Sequence, residues 1–387
     1  MFDQLAAWDN LRFAYERAAR RKRGRAEVAA FEYRLEDNLL ALRAELLMGT
    51  YRPGPYRRFY VHEPKHRLVA AAPFRDRVVH HALCQCIEPL FEPGFVADSY
   101  ANRIGKGTHR ALACARQLAR RHAYVLQLDV RRFFPSIDHA LLRRRIAKRV
   151  KDARVLGLVD LVLAGGMDPS EPADTALFPG DDLLATLRPR GLPVGNLTSQ
   201  FWGNLYLDGL DHFVKRTLRC RGYVRYVDDL LLFGDDRSEL WRWREAASAH
   251  LARLRLRFHA GAHPRPVREG FPWLGFVVHP TRTPLKRRRV VAFRRRLRRL
   301  AAAAEGGDAA ALASLRASLD GWRGHARFGT TTALVAALVR QLPMPVREAV
   351  IETSRGHEPL VSASAFGESA KTCLPHGVGP TCPAINV

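Results

Sequence analysis

The stretch that decides the fold is RYVDDLLLFG, residues 225–234. Its two adjacent carboxylates, Asp228 and Asp229, stand between two apolar, β-prone runs. We therefore predict two strands, Tyr223–Val227 and Leu230–Phe233, that meet at a turn formed by the two aspartates. Neighbouring carboxylates repel each other unless a cation neutralises them, which favours a metal site. A solvent-exposed hairpin tip is the alternative, because aspartate is common in turns.

A second acidic strand end favours the metal site. Residues 125–130, with the sequence VLQLDV, place Asp129 at the end of another apolar run. Helical segments separate this run from Asp228, so we expect both strands in one antiparallel sheet backed by helices. Carboxylates that converge there would hold two Mg²⁺ ions and align an attacking hydroxyl with a phosphoryl group.

The chain is strongly basic. Its 387 residues include 63 Lys and Arg against 38 Asp and Glu, a formal net charge of +25. Such a surface attracts polyanions, so nucleic acid is the first partner to consider, although an Arg-rich composition is also typical of a GC-rich genome. Residues 1–4 show no signal-peptide pattern, and no apolar run reaches membrane-spanning length. We expect a cytoplasmic protein with no membrane partner.

Composition shifts divide the chain into four predicted parts. Residues 1–50 form an N-terminal helical extension, and residues 51–279 mix short strands with helices. Residues 280–345 form an Arg-rich helical module, and residues 346–387 are a polar, flexible tail.

Local patterns also predict individual elements. Apolar periodicity predicts a helix over residues 197–220 and single strands over 256–259 and 273–278. Residues 321–325, with the sequence GWRGH, are expected to join two helices of the basic module.

Basic residues ahead of the acidic strands are candidates for phosphate binding. Residues 105–108, GKGT, lack P-loop spacing, so we expect this turn to present Arg103 and Lys106 to a nucleic-acid backbone. Four further cations could neutralise a triphosphate, namely Lys65, Arg67, Arg75 and Arg77.

Seven sequence blocks between residues 58 and 280 resemble, in order and spacing, the motif series of reverse transcriptases. The blocks are Pro64–Leu68, Phe74–Arg77, Tyr100–Thr108, Asp129–Asp138, Gly191–Gln200, Tyr226–Asp229 and Trp273–Phe276. No single block is specific, whereas the colinear series is. The resemblance implies an α+β, right-hand polymerase in which fingers and palm interleave over residues 51–279, with a helical thumb over residues 280–345.

The resemblance also implies roles for individual residues. Asp129, Asp228 and Asp229 match the catalytic acidic residues, with Asp129, Asp228 and the backbone carbonyl of Val130 as ligands of two Mg²⁺ ions. The substrates would be deoxynucleoside triphosphates (dNTPs). The residues that match nucleotide-binding positions are Lys65, Arg67, Arg75, Phe134, Val194, Gly195 and Gln200. Those that match the primer grip are Trp273, Leu274 and Gly275.

Phe134 matches an aromatic gate that excludes a 2′-hydroxyl by steric clash. Core packing is the alternative, which Phe133 would supply instead. No lysine in residues 259–265 matches the lysine that the family often carries after the catalytic hairpin, so we assign no general acid.

The segment Gly191–Gln200, GLPVGNLTSQ, departs from the common family pattern. Many reverse transcriptases carry Gln before the second glycine and Pro after the serine, where this chain has Val194 and Gln200. With residues 321–326, GWRGHA, this variant resembles the bacterial reverse transcriptases of diversity-generating retroelements, which copy a template RNA with errors at adenines. Loss of a polar side chain beside the nascent base pair would relax base selection. The partners implied are a template RNA, the cDNA/RNA hybrid and a small basic accessory protein.

Two other interpretations stay open. A reverse transcriptase of an antiphage-defence or other bacterial retroelement system would share the same blocks. A non-catalytic RNA-binding scaffold would need only the positive charge, although all three acidic residues stand at their expected positions.

Overall fold

The computed structural model describes residues 1–61, 67–166, 176–329, 331–344 and 346–347. The chain forms two compact units. The first comprises residues 1–290 with 326–332, and the second comprises residues 291–325 with 333–387. The predicted tail, residues 346–387, lies outside the described residues except for its first two.

The first unit combines helices with short strands. Its helices are α1 Phe2–Leu5, α2 Trp8–Ala19, α3 Ala26–Tyr33, α4 Leu35–Met48, α5 Phe74–Phe91, α6 Thr108–Ala119, α7 Phe133–Ser136, α8 His139–Ala147, α9 Ala153–Gly165, α10 Leu197–His212 and α11 Arg237–Ala252. Its strands are β1 Arg57–Val61, β2 Arg67–Ala71, β3 Tyr124–Asp129, β4 Gly222–Tyr226, β5 Asp229–Gly234, β6 Arg265–Pro266, β7 Phe271–Trp273 and β8 Phe276–Val278.

The N-terminal helices pack on α5 and share its core. Tyr15, Phe31 and Phe74 form an aromatic cluster, in which the Phe31 and Phe74 ring centroids lie 5.2 Å apart. Helix α4 ends at Gly49, whose left-handed conformation (φ 71°) lets the chain leave the helix. The helical extension is therefore part of the unit that carries the sheet.

Four antiparallel strands form the central sheet in the order β4–β5–β3–β6. Leu126 and Leu128 of β3, with Leu230 and Leu232 of β5, are fully buried in the main core, because alternate side chains of a strand face the same side. Helices α6 and α11 pack on these strands. The predicted α+β fold, an antiparallel sheet backed by helices, is confirmed.

The predicted single strand over residues 273–278 is wrong. Strands β7 and β8 form a hairpin there, and Leu274 and Gly275 make its two-residue turn. Both have positive φ, 44° and 94°, as a type I′ turn requires. Leucine seldom occupies such a position, so the apolar run concealed the turn.

Two further elements are shorter than predicted. Helix α10 stops at His212, and the next residues, Phe213–Thr217, form a π-helical turn in place of the predicted α-helix to residue 220. The predicted strand over residues 256–259 contributes only one bridge, between Phe258 and Val130.

The second unit is helical. It contains most of α12 (Arg287–Glu305), together with α13 (Ala309–Ala326) and α14 (Thr332–Arg340). Its core includes Leu297, Ala301, Leu315, Leu319, Leu338 and Leu342. Helix α13 continues through residues 321–325, so the predicted joining segment is wrong; Trp322 stacks on Phe293 there, with ring centroids 4.3 Å apart. No helix in the described ranges combines the length and apolarity needed to cross a bilayer.

Candidate active site

Three aspartates converge at one end of the central sheet, and we call Asp129, Asp228 and Asp229 the acidic cluster. Asp129 ends β3 and Asp229 begins β5, and the two residues pair directly across the antiparallel ladder. The Val130 amide donates a hydrogen bond to the backbone carbonyl of Asp228 at 3.1 Å. Strand pairing therefore brings Asp129 and Asp229 together, and the turn before β5 adds Asp228.

The hairpin between β4 and β5 turns at Val227 and Asp228, one residue earlier than predicted. Tyr226 pairs with Asp229, so only two residues form the loop. Val227 has a φ of 59°. Two-residue hairpin loops require positive φ at their first position, but a β-branched residue adopts it only under strain. The turn leaves Asp228 in the loop and Asp229 on the strand.

Asp229 has a strongly perturbed pKa. Burial, followed by the charges of Asp129 and Asp228, raises it to about 6. A hydrogen bond from the Gln127 amide (Nε2 to Oδ1, 3.4 Å) and the charge of Lys286 oppose this rise. A bound cation stabilises the charged form of carboxylates that repel each other. Carboxylate oxygens are also ligands that Mg²⁺ prefers. Within the described part of the chain, no three His, Cys, Asp or Glu side chains form a preformed metal cage, so the fit rests on this donor chemistry.

Two aromatic rings follow β3. Phe133 is buried and Phe134 is half-buried in α7, and their ring centroids lie 5.1 Å apart. Gly203 of α10 lies against both rings, since an added Cβ would stand 3.1 Å from Phe133 and 3.3 Å from Phe134. Phe133 thus supplies core packing and Phe134 is the more exposed ring. The role of Phe134 in sugar selection stays a prediction.

The segment Gly191–Gln200 connects the aromatic pair to the β1–β2 hairpin. The Leu192 amide donates to the Phe134 carbonyl at 2.9 Å on one side. On the other side, the Ala70 amide donates to the Val194 carbonyl at 3.1 Å. Backbone hydrogen bonds therefore fix Phe134 and Val194 relative to each other.

Asn196 and Gly195 hold this segment on β2. The Asn196 side chain donates to the Ala70 carbonyl at 2.8 Å and accepts from the Ala72 amide at 3.3 Å. Gly195 has a φ of 114°, and an added Cβ would lie 3.0 Å from Val69 Cγ1. Sequence reasoning missed Asn196. Its position directly before α10 is typical of a helix cap, whereas its side chain binds β2 instead.

The predicted primer-grip residues lie in the β7–β8 hairpin. Trp273 is buried, and Leu274 and Gly275 form the turn. The Lys286 amide donates to the Gly275 carbonyl at 3.0 Å. Because the charge of Lys286 also opposes the rise in the Asp229 pKa, this residue links the hairpin to the acidic cluster. Sequence reasoning missed Lys286, because a lysine was sought in residues 259–265.

A comparison with protein families agrees with this geometry. The family model described as "Reverse transcriptase (RNA-dependent DNA polymerase)" matches residues 61–276. The chain belongs to this family. Reverse transcriptases use divalent metal ions and dNTPs.

Several relatives of this reverse transcriptase are known. Protein YkfC of Escherichia coli K12 is 28% identical over 220 residues, which cover 55% of this chain and 51% of YkfC. The group II intron-encoded protein LtrA of Lactococcus lactis is 27% identical over 183 residues, 46% of this chain and 28% of LtrA. Nuclear intron maturase 1 of Arabidopsis thaliana is 32% identical over 87 residues, 22% of this chain and 12% of the maturase. The chain thus spans about half the length of YkfC and less of the other two.

Arg103 and Lys106 of the reverse transcriptase bind within their own loop. Arg103 donates to the Glu92 carboxylate at 2.8 Å and to two backbone carbonyls at 2.7 and 2.9 Å. Lys106 donates to the Ala97 carbonyl at 2.7 Å. Arg103 is largely buried and holds the loop, whereas Lys106 is half-exposed, so contact of Lys106 with a nucleic-acid backbone stays a prediction.

The remaining predicted nucleotide contacts lie on separate elements. Arg75 forms an ion pair with Glu45 of α4. Gln200 is half-buried in the first turn of α10. Lys65 and the side chain of Arg67 lie outside the described residues. The contacts of these four residues with a nucleotide stay predictions.

Proposed function

We propose that this reverse transcriptase is an Mg²⁺-dependent RNA-directed DNA polymerase that makes cDNA from a template RNA. The observation that carries the proposal is the convergence of the acidic cluster at one end of the central sheet. Phosphoryl transfer depends mainly on alignment of the reactants and on neutralisation of charge, so positioned carboxylates are the central requirement.

The groups of the chain have distinct tasks in this proposal. Asp129, Asp228 and the backbone carbonyl of Val130 would hold two Mg²⁺ ions, whose charge would activate the primer hydroxyl and stabilise the leaving group. Asp229 adds negative charge beside them. Phe134 forms the wall that would collide with a 2′-hydroxyl. The hairpin at Trp273 positions the primer end.

Primer extension tests the enzymatic activity. Purified protein receives an RNA template, a DNA primer, the four dNTPs, Mg²⁺ and the small basic accessory protein. We expect cDNA from wild type and a loss of at least about 10³-fold for Asp228→Asn, because the variant loses a charged metal ligand. Asp235→Asn changes an exposed carboxylate just beyond the other end of β5 and should keep near wild-type activity. Absence of product from wild type and Asp228→Asn alike would contradict the proposal.

We further propose that the enzyme serves a diversity-generating retroelement and copies template adenines with errors, so that its cDNA overwrites a variable gene segment by mutagenic retrohoming. Val194 supports this subtype. Its backbone is bound to β2, two residues after Leu192, whose amide donates to the Phe134 carbonyl, and many reverse transcriptases carry Gln at this position. An apolar side chain offers no hydrogen bond to a base pair, and polar contacts discriminate more strongly than apolar ones.

Sequencing of the cDNA tests the subtype. We expect errors concentrated opposite template adenines, and Val194→Gln should reduce them about tenfold by restoring a polar contact. Val194→Leu, which keeps an apolar side chain, is the matched control and should retain the errors. Errors spread evenly over all four bases would contradict the subtype and favour an antiphage-defence or other bacterial retroelement enzyme. A non-catalytic scaffold would bind the RNA without yielding cDNA.

A further inference from the structure

A fully buried ion pair adjoins the turn between β4 and β5, formed by Val227 and Asp228, which we call the catalytic turn. Arg225 of β4 and Asp211 of α10 have no solvent-exposed side-chain surface. Arg225 donates from Nε to Asp211 Oδ1 at 2.7 Å and from Nη2 to Oδ2 at 2.6 Å, a bidentate arrangement. Tyr223, two residues earlier on the same strand, donates its hydroxyl to Asp211 Oδ1 at 2.7 Å. Alternate side chains of a strand face the same side, so β4 directs both residues at α10.

The remaining guanidinium nitrogen of Arg225 reaches the turn itself. Nη1 donates to the backbone carbonyl of Val227 at 2.9 Å and to Asn204 Oδ1 at 3.0 Å. Val227 is the residue with a φ of 59°, and it directly precedes Asp228. One buried side chain therefore binds both α10 and the strained residue of the catalytic turn.

Arg225 is charged in these surroundings. Burial acts to lower its pKa, but the charge and hydrogen bonds of Asp211 more than offset this, so the pKa is raised. A buried ion pair is seldom explained by stability alone, because apolar residues of similar volume often stabilise a protein equally well. A charged donor makes a strong, directional hydrogen bond to a carbonyl. Val227 is a β-branched residue at positive φ, and such a hydrogen bond can hold it in this strained conformation.

We propose that Arg225, held by Asp211, is a positioning residue that keeps Val227 in its strained conformation and thereby sets the place of the Asp228 carboxylate. The inference rests on the proposed polymerase function. Arg225 acts on Asp228 through the backbone of the turn and binds no substrate. Its loss should therefore slow nucleotide addition and weaken the response to Mg²⁺, with little effect on nucleotide affinity.

Arg225→Lys tests this role, because one ammonium group cannot replace the fork that serves both Asp211 and Val227. We expect kcat for single-nucleotide addition to fall at least about tenfold, equivalent to about 1.4 kcal/mol. The KM for dNTP should stay within about twofold, and the Mg²⁺ concentration for half-maximal rate should rise about threefold or more. Tyr223→Phe is the matched control. It removes one hydrogen bond to Asp211 but keeps the Val227 contact, so its kinetics should resemble wild type.

A double variant keeps the test valid if Arg225→Lys does not fold. Arg225→Met with Asp211→Asn removes both charges at nearly unchanged volume, and the amide oxygen introduced at position 211 can still accept from the Tyr223 hydroxyl, so no buried charge is left unpaired. We expect an unfolding temperature close to that of wild type and the same loss of kcat. A folded variant of either kind with wild-type kcat and Mg²⁺ dependence would overturn the positioning role. Absence of product from wild type would instead overturn the polymerase function, so the two failures are distinguishable.

Discussion

Two groups of aspartates in the first unit have opposite electrostatic surroundings. In the acidic cluster, burial and the neighbouring carboxylates raise the pKa of Asp229 to about 6. Elsewhere, Asp181 accepts hydrogen bonds from Arg188 at 2.8 and 2.9 Å and from Arg255 at 3.2 Å. The hydrogen bonds from Arg188 are the main reason that the pKa of Asp181 lies well below its usual range.

Asp181 and Asp138 both pair with arginines, and we call them the arginine-paired group. One carboxylate oxygen of Asp138 accepts from Arg255 at 3.1 Å, and the other accepts from the Leu141 amide at 2.8 Å and so caps α8. The chain itself neutralises these carboxylates, which therefore serve the fold. In the acidic cluster, like charges face each other and a bound cation would relieve the repulsion. Raised carboxylate pKa values are enriched at functional sites, which agrees with the role proposed for the acidic cluster.

When one aspartate of each group is replaced by asparagine, the largest expected difference is in catalytic activity. Asp129→Asn should reduce kcat at least about 10³-fold, because it removes a charged metal ligand. Asp181→Asn should keep kcat within about threefold below its unfolding temperature, because its partners are arginines of the fold. Steady-state primer extension measures both. A folded but inactive Asp181→Asn would show that the arginine-paired group also serves the reaction.

The next effect is on stability, with the order of the two groups of aspartates reversed. Asp181→Asn should lower the unfolding temperature by about 2–4 °C, because Arg188 and Arg255 keep their charges and lose one of their two carboxylate partners, the other being Asp138. Asp229→Asn, in the acidic cluster, should not lower it in metal-free buffer, since burial and the neighbouring carboxylates disfavour the Asp229 charge. Heat unfolding measures both. The control is Asp160→Asn, which breaks a more exposed ion pair with Arg143 and should shift the temperature little. Equal losses for the Asp181 and Asp160 variants would contradict the structural role of Asp181.

The sequence predicts the acidic cluster because strand ends are local features. Asp129 and Asp229 end and begin apolar runs, and antiparallel pairing of those runs brings them together. Contacts between distant elements are not predictable in this way. In the sequence, Arg225 is only a basic residue before an acidic motif. The packing of α10, which places Asp211 against Arg225, is not apparent from the sequence. The turn at Leu274 has no glycine or asparagine at its first position, so the residue type there does not indicate a turn.

The smallest expected effect is an opposite pH dependence of stability at Asp181 and Asp229. The lowered pKa of Asp181 gives stability that is present above its ordinary value of 3.8 and is lost as the pH falls through the folded value. The raised pKa of Asp229 has the opposite sign. Its charge destabilises the folded state above about pH 6, and this penalty disappears as the pH falls towards 3.8.

Heat unfolding of Asp229→Asn and Asp181→Asn between about pH 4 and 8, with a chelator present, measures this difference. At pH 8, Asp229→Asn should unfold about 1–3 °C above wild type, and the gap should close near pH 4. Asp181→Asn should unfold below wild type at pH 8 and pH 5, and approach it only below about pH 4. If the gap between Asp229→Asn and wild type did not vary with pH, the neighbouring carboxylates would not disfavour the Asp229 charge. The acidic cluster would then lose its electrostatic distinction from the arginine-paired group.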